Sequence, residues 1–247
     1  MIDPQGVPLS LYIHLPWCAR KCPYCDFNSH EGFTDSLQQP YVEALLTDLD
    51  SQQAWWHDRS IHSIFIGGGT PSLFEGRWLG ALLEGISIRA NLSRDVEITL
   101  ESNPGSAERE RFTEYRAAGV NRLSIGVQSF DDRALKALGR IHSGDDARRA
   151  LDMVAAADFR RWNIDLMHGL PGQQAQSAAS DLTEAVGRSA GHISWYQLTI
   201  ERNTRFWSTP PVLPDESDLE SIQQAGEGVL AEAGLHQYEV SAFSREG

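Results

Sequence analysis

The chain has 247 residues, 41% of them hydrophobic, and a formal net charge of −13. That is enough apolar material for one barrel or doubly wound α/β domain, which typically takes roughly 200–250 residues. The charge argues against a nucleic-acid partner, which needs clustered Lys and Arg. No apolar run approaches the roughly 18 residues of a membrane-spanning helix.

The opening stretch "MIDPQGVPLSLYIHLP" lacks the basic start and apolar h-region of a secretory signal. A cytoplasmic location is therefore expected, where thiols stay reduced. Short β-branched, apolar runs follow in chain order: "LSLYIHL" (9–15), "IHSIFIG" (61–67), "VEITLES" (96–102), "VNRLSIGV" (120–127), "RWNIDLM" (161–167) and "HISWYQLTI" (192–200). Segments with helical spacing lie between them, at 35–56, 72–90, 107–118, 145–157 and 176–189. Strands alternating with helices predict parallel βαβ units. Six of them without a hairpin signal point to a partial (β/α)6 barrel, with an open doubly wound sheet as the alternative.

Thr34 or Asp35 is the expected cap of the first helix, and Gly119 the left-handed residue closing the third. The basic stretch Arg133, Lys136, Arg140, Arg148, Arg149 reads as a solvated helical face. "STPPVLPDE" (208–216) reads as a linker, and 215–234 as a last helix with an acidic first turn, ending near Gly234. The final 13 letters, "LHQYEVSAFSREG", predict one more strand and a turn in need of partners. The expected organisation is a core barrel over 1–207. A linker, a helix and the start of a carboxy-terminal region fill 208–247, the remainder belonging to a longer protein.

Chemistry in a parallel α/β fold gathers at the carboxyl ends of the strands. Cys18, Cys22 and Cys25, the chain's only cysteines, follow the first strand; "GGGTP" (67–71) follows the second. Glu101, Asn103 and Pro104 end the third, "GVQSF" (126–130) the fourth and "DLMHGLPG" (165–172) the fifth. Three thiolates at C-x3-C-x2-C spacing can reach one metal centre. A closed zinc site would need a fourth ligand, with His14 or His30 nearest. A cubane iron–sulfur cluster, the favoured reading, would keep one iron open on three cysteines.

"GGGTP" is neither the dinucleotide fingerprint nor a Walker loop; it serves either as a tight turn or as a backbone cradle for a ligand. Glu101, Gln128, Arg140 and Asp165 are polar residues at strand ends, suited to hydroxyl or carboxylate partners. Asp165 stands inside "NIDLM", where an unpaired buried carboxylate is costly. His14 and His168 are read as packed histidines, and the Trp55–Trp56 pair as packing.

These blocks resemble the radical S-adenosylmethionine (radical SAM) enzymes. "LSLYIHLPWCARKCPYCDFNSH", "IFIGGGTPSL", "ESNPG", "NRLSIGVQSF", "LGRIH", "NIDLMHGLPGQ" and "SWYQLTIE" are similar to the oxygen-independent coproporphyrinogen oxidase group, and within it to the haem-chaperone type. The resemblance implies a [4Fe–4S] cluster on Cys18, Cys22 and Cys25 whose open iron is chelated by SAM. Reductive cleavage of SAM would give methionine and a 5′-deoxyadenosyl radical. It implies SAM contacts from Tyr12, Tyr24, Gly68, Gly69, Thr70, Glu101, Gln128, Arg140 and Asp165, with Gln197 aligning more loosely.

The oxidases carry a further cysteine two residues after the third; here that residue is Phe27. This departure favours haem binding and delivery over oxidative decarboxylation of coproporphyrinogen III, the alternative. Haem as cargo, a haem donor, recipient respiratory haem proteins and an electron donor for the cluster are the implied partners, with transient membrane contact through them. No haem ligand is assigned.

Overall fold

Period-two alternation in the first strand sets the plan of the fold. In β1 (Leu9–Leu15), Ile13 and Leu15 are buried, while Tyr12 on the opposite face is exposed. The computed structural model describes residues 6–105, 108–188 and 191–245, and of 108–110 the backbone only. Five further strands repeat the pattern: β2 (Ile61–Gly68), β3 (Leu92–Ser102), β4 (Arg122–Gln128), β5 (Arg161–His168) and β6 (His192–Gln197). Ile64, Ile66, Leu100, Leu123, Ile125, Ile164, Leu166 and Ile193 join Ile13 and Leu15 in one core on the outer face.

The helices are α1 (Gln38–Ser51), α2 (Gly76–Arg89), α3 (Glu108–Ala118), α4 (Asp132–Ala137), α5 (Gly144–Ala156), α6 (Ala175–Arg188), α7 (Arg205–Ser208) and α8 (Glu216–Glu232). All but α4 and α7 add side chains to that core, and those two pack in a separate, smaller cluster. The strand order is β1-β2-β3-β4-β5-β6, every neighbour parallel. A doubly wound sheet reverses its order at a switch point. This one never does, which decides for the barrel type of winding. The sheet is open rather than closed, since beyond β6 it continues into two antiparallel strands.

Those two strands correct one expectation. The stretch 235–247 holds a hairpin, β7 (His236–Glu239) and β8 (Ala242–Ser244), instead of one strand and a turn; β8 pairs with β6, with Ile193 opposite Phe243. The turn at Val240–Ser241 contains no Gly or Asn, and Ser241 takes φ 67° itself. Hairpin turns are normally advertised by such residues, so this one was silent. Ile222, Leu230, Leu235 and Phe243 belong to the same core as the barrel strands.

Helix ends follow local chemistry. Ser143 and Asp146 form a reciprocal capping box on α5, Asp215 caps α8 through the Asp218 amide, and Gly119 closes α3 at φ 109°. Residue 107, the expected first residue of that helix, lies outside the described residues. Thr34 does not cap the first helix: its hydroxyl bonds Ser36 Oγ at 3.0 Å, and Asp35–Leu37 form a 3₁₀ turn before α1.

Trp56 is buried, its Nε1 donating to the Leu49 carbonyl, while Trp55 is 78% exposed. Only one of the pair packs. α4 and α7 were not foreseen; at six and four residues they are too short to show a period, though Asp131 and Thr204 cap them. The basic stretch is a solvated face only in part. Arg148 is held by Glu184 and Asp145, Arg149 by Asp146, and Arg140 turns inward. No helix among the described residues is long and apolar enough to cross a membrane.

Candidate functional site

The cysteine loop leaves β1 and is pinned at both ends. Cys18 N donates to the His30 carbonyl at 2.8 Å and His30 N to the Pro16 carbonyl at 2.7 Å. Lys21 closes the middle, with Nζ donating to the carbonyls of Phe27 and Ser29 at 2.9 and 3.2 Å. Cys18 is buried, while Cys22 and Cys25 are half-buried. Burial raises the Cys25 thiol pKa, and the neighbouring Cys22 and Cys18 add to the rise against hydrogen bonds from Phe27 and Ser29. His14 Nε2 meets the Asn28 carbonyl at 2.8 Å and His30 Nε2 the Asn28 Oδ1 at 3.1 Å.

The glycine loop after β2 docks on this one. Gly69 N donates to the Leu15 carbonyl and Thr70 N to the Trp17 carbonyl, at 2.8 and 2.7 Å. A Cβ on Gly69 would lie 2.5 Å from the Trp17 oxygen, and one on Gly68 (φ 121°) 2.8 Å from the His14 ring. Only glycine permits that approach and that backbone. Gly68 N donates to Glu101 Oε2 at 3.1 Å. The loop is thus a tight turn whose amides are engaged by the Leu15 and Trp17 carbonyls and by Glu101.

Arg140 ties the strand ends together. Its Nη2 donates to Asn103 Oδ1 at 2.6 Å and to the Gly126 carbonyl at 3.0 Å. Its Nη1 reaches Cys22 Sγ and the Tyr24 hydroxyl, both at 3.5 Å. Asn103 Nδ2 in turn donates to Thr70 Oγ1 at 3.0 Å. Tyr24 also packs beside Phe206 in a small second core with Leu138, Met167, Leu170 and Leu198. Burial raises the Tyr24 pKa, partly offset by Arg140.

The two carboxylates sit deeper. Asp165 accepts from Ser124 Oγ at 2.9 Å and from Asn163 Nδ2 at 2.6 Å, so it is not the unpaired buried charge that would be costly. Burial nevertheless raises its pKa. Glu101 is pushed up to about 7, first by burial and then by the charge of Asp165, with the Gly68 amide opposing. Gln128 is buried at φ 69° and accepts from Tyr196 OH at 2.7 Å. A non-glycine residue in that conformation costs on the order of 1–3 kcal/mol and persists only where its surroundings hold it. Tyr12 is 57% exposed, bonds His14 Nδ1 at 3.0 Å and stacks on Phe65. His168 is buried against Trp195, packed but with no hydrogen-bond partner for Nδ1 among the described residues, and Gln197 is exposed at the end of β6.

The Radical SAM superfamily model matches residues 12–185. The chain belongs to the radical SAM superfamily. This radical SAM chain is 52% identical, over 97% of its length, to "Heme chaperone HemW" of Escherichia coli (strain K12). To the protein of the same name from Haemophilus influenzae it is 48% identical over 99%. It spans 64% and 65% of the length of those two relatives. Among solved structures it is similar to coproporphyrinogen III oxidase (HemN) from Escherichia coli, described as a radical SAM enzyme. The TM-score is 0.87 at 25% identity, covering 98% of this chain and 56% of that one.

Membership implies a [4Fe–4S] cluster and SAM, and the donor set fits. Cluster thiolates bind separate irons, so three cysteines on one loop suffice and leave an iron for another ligand. A single tetrahedral zinc, with Zn–S of about 2.3 Å, would need its sulfurs roughly 3.8 Å apart. Among the described residues no three Cys, His, Asp or Glu side chains converge on one ion, and the two nearby histidines engage Asn28.

Three further residues take part, each from a stretch singled out in the sequence but with no role assigned there. Gly126 lets Asn103, Gln128 and Arg140 converge: a Cβ there would lie 2.6 Å from Asn103 Oδ1. Tyr196 holds Gln128. Asn103 was visible at a strand end, yet nothing in "ESNPG" reveals which side chains it bridges. The usable signal was period two, since 126 and 196 share the inner face with Ser124 and Ser194.

Proposed function

We propose that this chain is the radical SAM core of a haem chaperone, with the cluster on Cys18, Cys22 and Cys25 and SAM held across the strand ends. The observation that carries the site is one connected set of hydrogen bonds, from Cys22 through Arg140 to Asn103 and Thr70. When bound, the cluster supplies an electron to the sulfonium of SAM. The protein's own residues bind and orient. The Arg140 guanidinium would meet the SAM carboxylate, and the Glu101 carboxylate with backbone carbonyls at Gly68, Gly69 and Thr70 would meet its amino group. Gln128 and Asp165 take the ribose hydroxyls; Tyr24 and Tyr12 line the adenine side and the reacting end. A cationic amino group beside Glu101 favours its ionised form, offsetting the burial that raises its pKa.

Haem is the cargo in this reading. Phe27, 60% exposed, stands where the oxidase type has a further cysteine, and this favours the chaperone over the oxidase reading. The partners are a haem donor, a recipient respiratory haem protein reached by transient membrane contact, and an electron donor, all met from the cytoplasm. The test uses the full-length protein, reconstituted anaerobically with iron and sulfide. Expected are a stable haem complex that passes haem to an apo acceptor, and 5′-deoxyadenosine from SAM under reduction, with coproporphyrinogen unchanged. Decarboxylation of coproporphyrinogen would overturn the chaperone reading. Failure to cleave SAM by fully loaded protein would leave the cluster a structural element.

A further inference from the structure

The sequence singled out "ESNPG" for Glu101, but the most connected side chain of that segment is Asn103. Its Oδ1 accepts from Arg140 Nη2 at 2.6 Å, and its Nδ2 donates to Thr70 Oγ1 at 3.0 Å. Arginine has donors only, so the amide can be turned one way and not the other. The same Nη2 also donates to the Gly126 carbonyl, leaving Nη1 directed at Cys22 Sγ and Tyr24 OH. Gly126 has no side chain, and a Cβ there would lie 2.6 Å from the Asn103 oxygen, closer than the two atoms can approach. One amide therefore links three successive strand ends: the glycine loop after β2, its own position after β3, and the arginine that follows β4.

We propose that Asn103 is a positioning residue: by fixing one arm of the Arg140 guanidinium, it directs the other onto the Cys22 sulfur and holds Thr70 in the same frame. The inference rests on the cluster and SAM reading of the site. Its consequences are two. Arg140 is presented ready-oriented to a carboxylate, so SAM binds without first ordering a long, flexible side chain. An N–H directed at a cluster thiolate stabilises the reduced cluster and raises its potential.

The test uses the full-length, anaerobically reconstituted protein and compares Asn103→Ala, Arg140→Gln and the double variant. Iron content, the Kd for SAM from its perturbation of the reduced cluster's EPR signal, and the midpoint potential from an EPR-monitored titration are read for each. Asn103→Ala is expected to keep its iron, weaken SAM roughly tenfold and move the potential to a more negative value. In the Arg140→Gln background the same change is expected to leave the potential where it is and to weaken SAM only by the few-fold that passes through Thr70, because the larger part acts through Arg140. Unchanged SAM affinity and potential in Asn103→Ala, or the same effect in both backgrounds, overturns the proposal.

Thr70→Val removes the bridge from its other end and carries the test if Asn103→Ala fails to fold. It is expected to weaken SAM by a few fold, and unaltered binding counts against the bridge. If the unsubstituted protein takes up no iron, the reading of the site falls, and this inference with it.

Discussion

The two faces of the same six strands make opposite use of one alternation. Outward, Ile66, Leu100, Leu123, Ile125, Ile164 and Ile193 are almost completely buried beneath the helices. Inward stand Tyr12, Phe65, Thr99, Glu101, Ser124, Asn163, Asp165, Ser194 and Tyr196, which are polar or aromatic and linked by hydrogen bonds such as Asn163 to Ser124, Asp165 and Ser194. A closed eight-stranded barrel fills its interior with branched apolar side chains. This open sheet does not. Its stability comes from the outer face, which leaves the inner face free to carry groups that would be costly in a core. The hydroxyls and amides around Asp165 are what keep that carboxylate tolerable.

The largest separation of the two faces is expected at the cysteines. Cys22→Ala should abolish iron uptake on anaerobic reconstitution while the thermal melt stays close to that of the parent; a parallel collapse of the melt would mean the loop supports the fold. The converse is Leu123→Ala. Its side chain is fully buried on the outer face, so urea unfolding should show a loss of about 2–5 kcal/mol, with the iron content of the folded fraction unchanged.

Glu101 offers a cost on the inner face that pH can read. Its pKa is 4.5 in the unfolded chain and about 7 in the folded one, so the native state retains a proton that the unfolded state has lost. The contribution of Glu101 to the stability of the cofactor-free protein should therefore fall as pH rises through that window, by roughly 3 kcal/mol. His142, His168 and His192, held down to about 4 by burial, act in the opposite direction. Relative to the parent, Glu101→Gln should gain about 3 kcal/mol between the two ends of the Glu101 window, and urea unfolding of both proteins at each end checks the difference. The smallest effect is expected from Gly126→Ala, whose Cβ intrudes on Asn103 Oδ1. It should weaken SAM binding by a few fold, with a melt within about 1 kcal/mol of the parent.

This division explains what could be read in advance. The outer face was legible because Ile64–Ile66 or Leu123–Ile125 repeat at period two, and that repetition also gave six strands in the right order. The cysteine loop was legible from spacing alone, and Gly119 from helix-end chemistry. What stayed hidden depends on contacts between distant segments. The link from Asn103 to Arg140 spans 37 positions and that from Arg140 to Cys22 spans 118, and no local pattern records either. The β7–β8 hairpin stayed hidden because Ser241 adopts a left-handed conformation without the glycine that usually marks it.

The most direct test of the central claim is iron and sulfide analysis with EPR on the full-length protein after anaerobic reconstitution. A full [4Fe–4S] complement, with a reduced-state signal that changes shape when SAM is added, is the result predicted for three cysteines and an open iron. One equivalent of zinc, with no iron taken up, would contradict it.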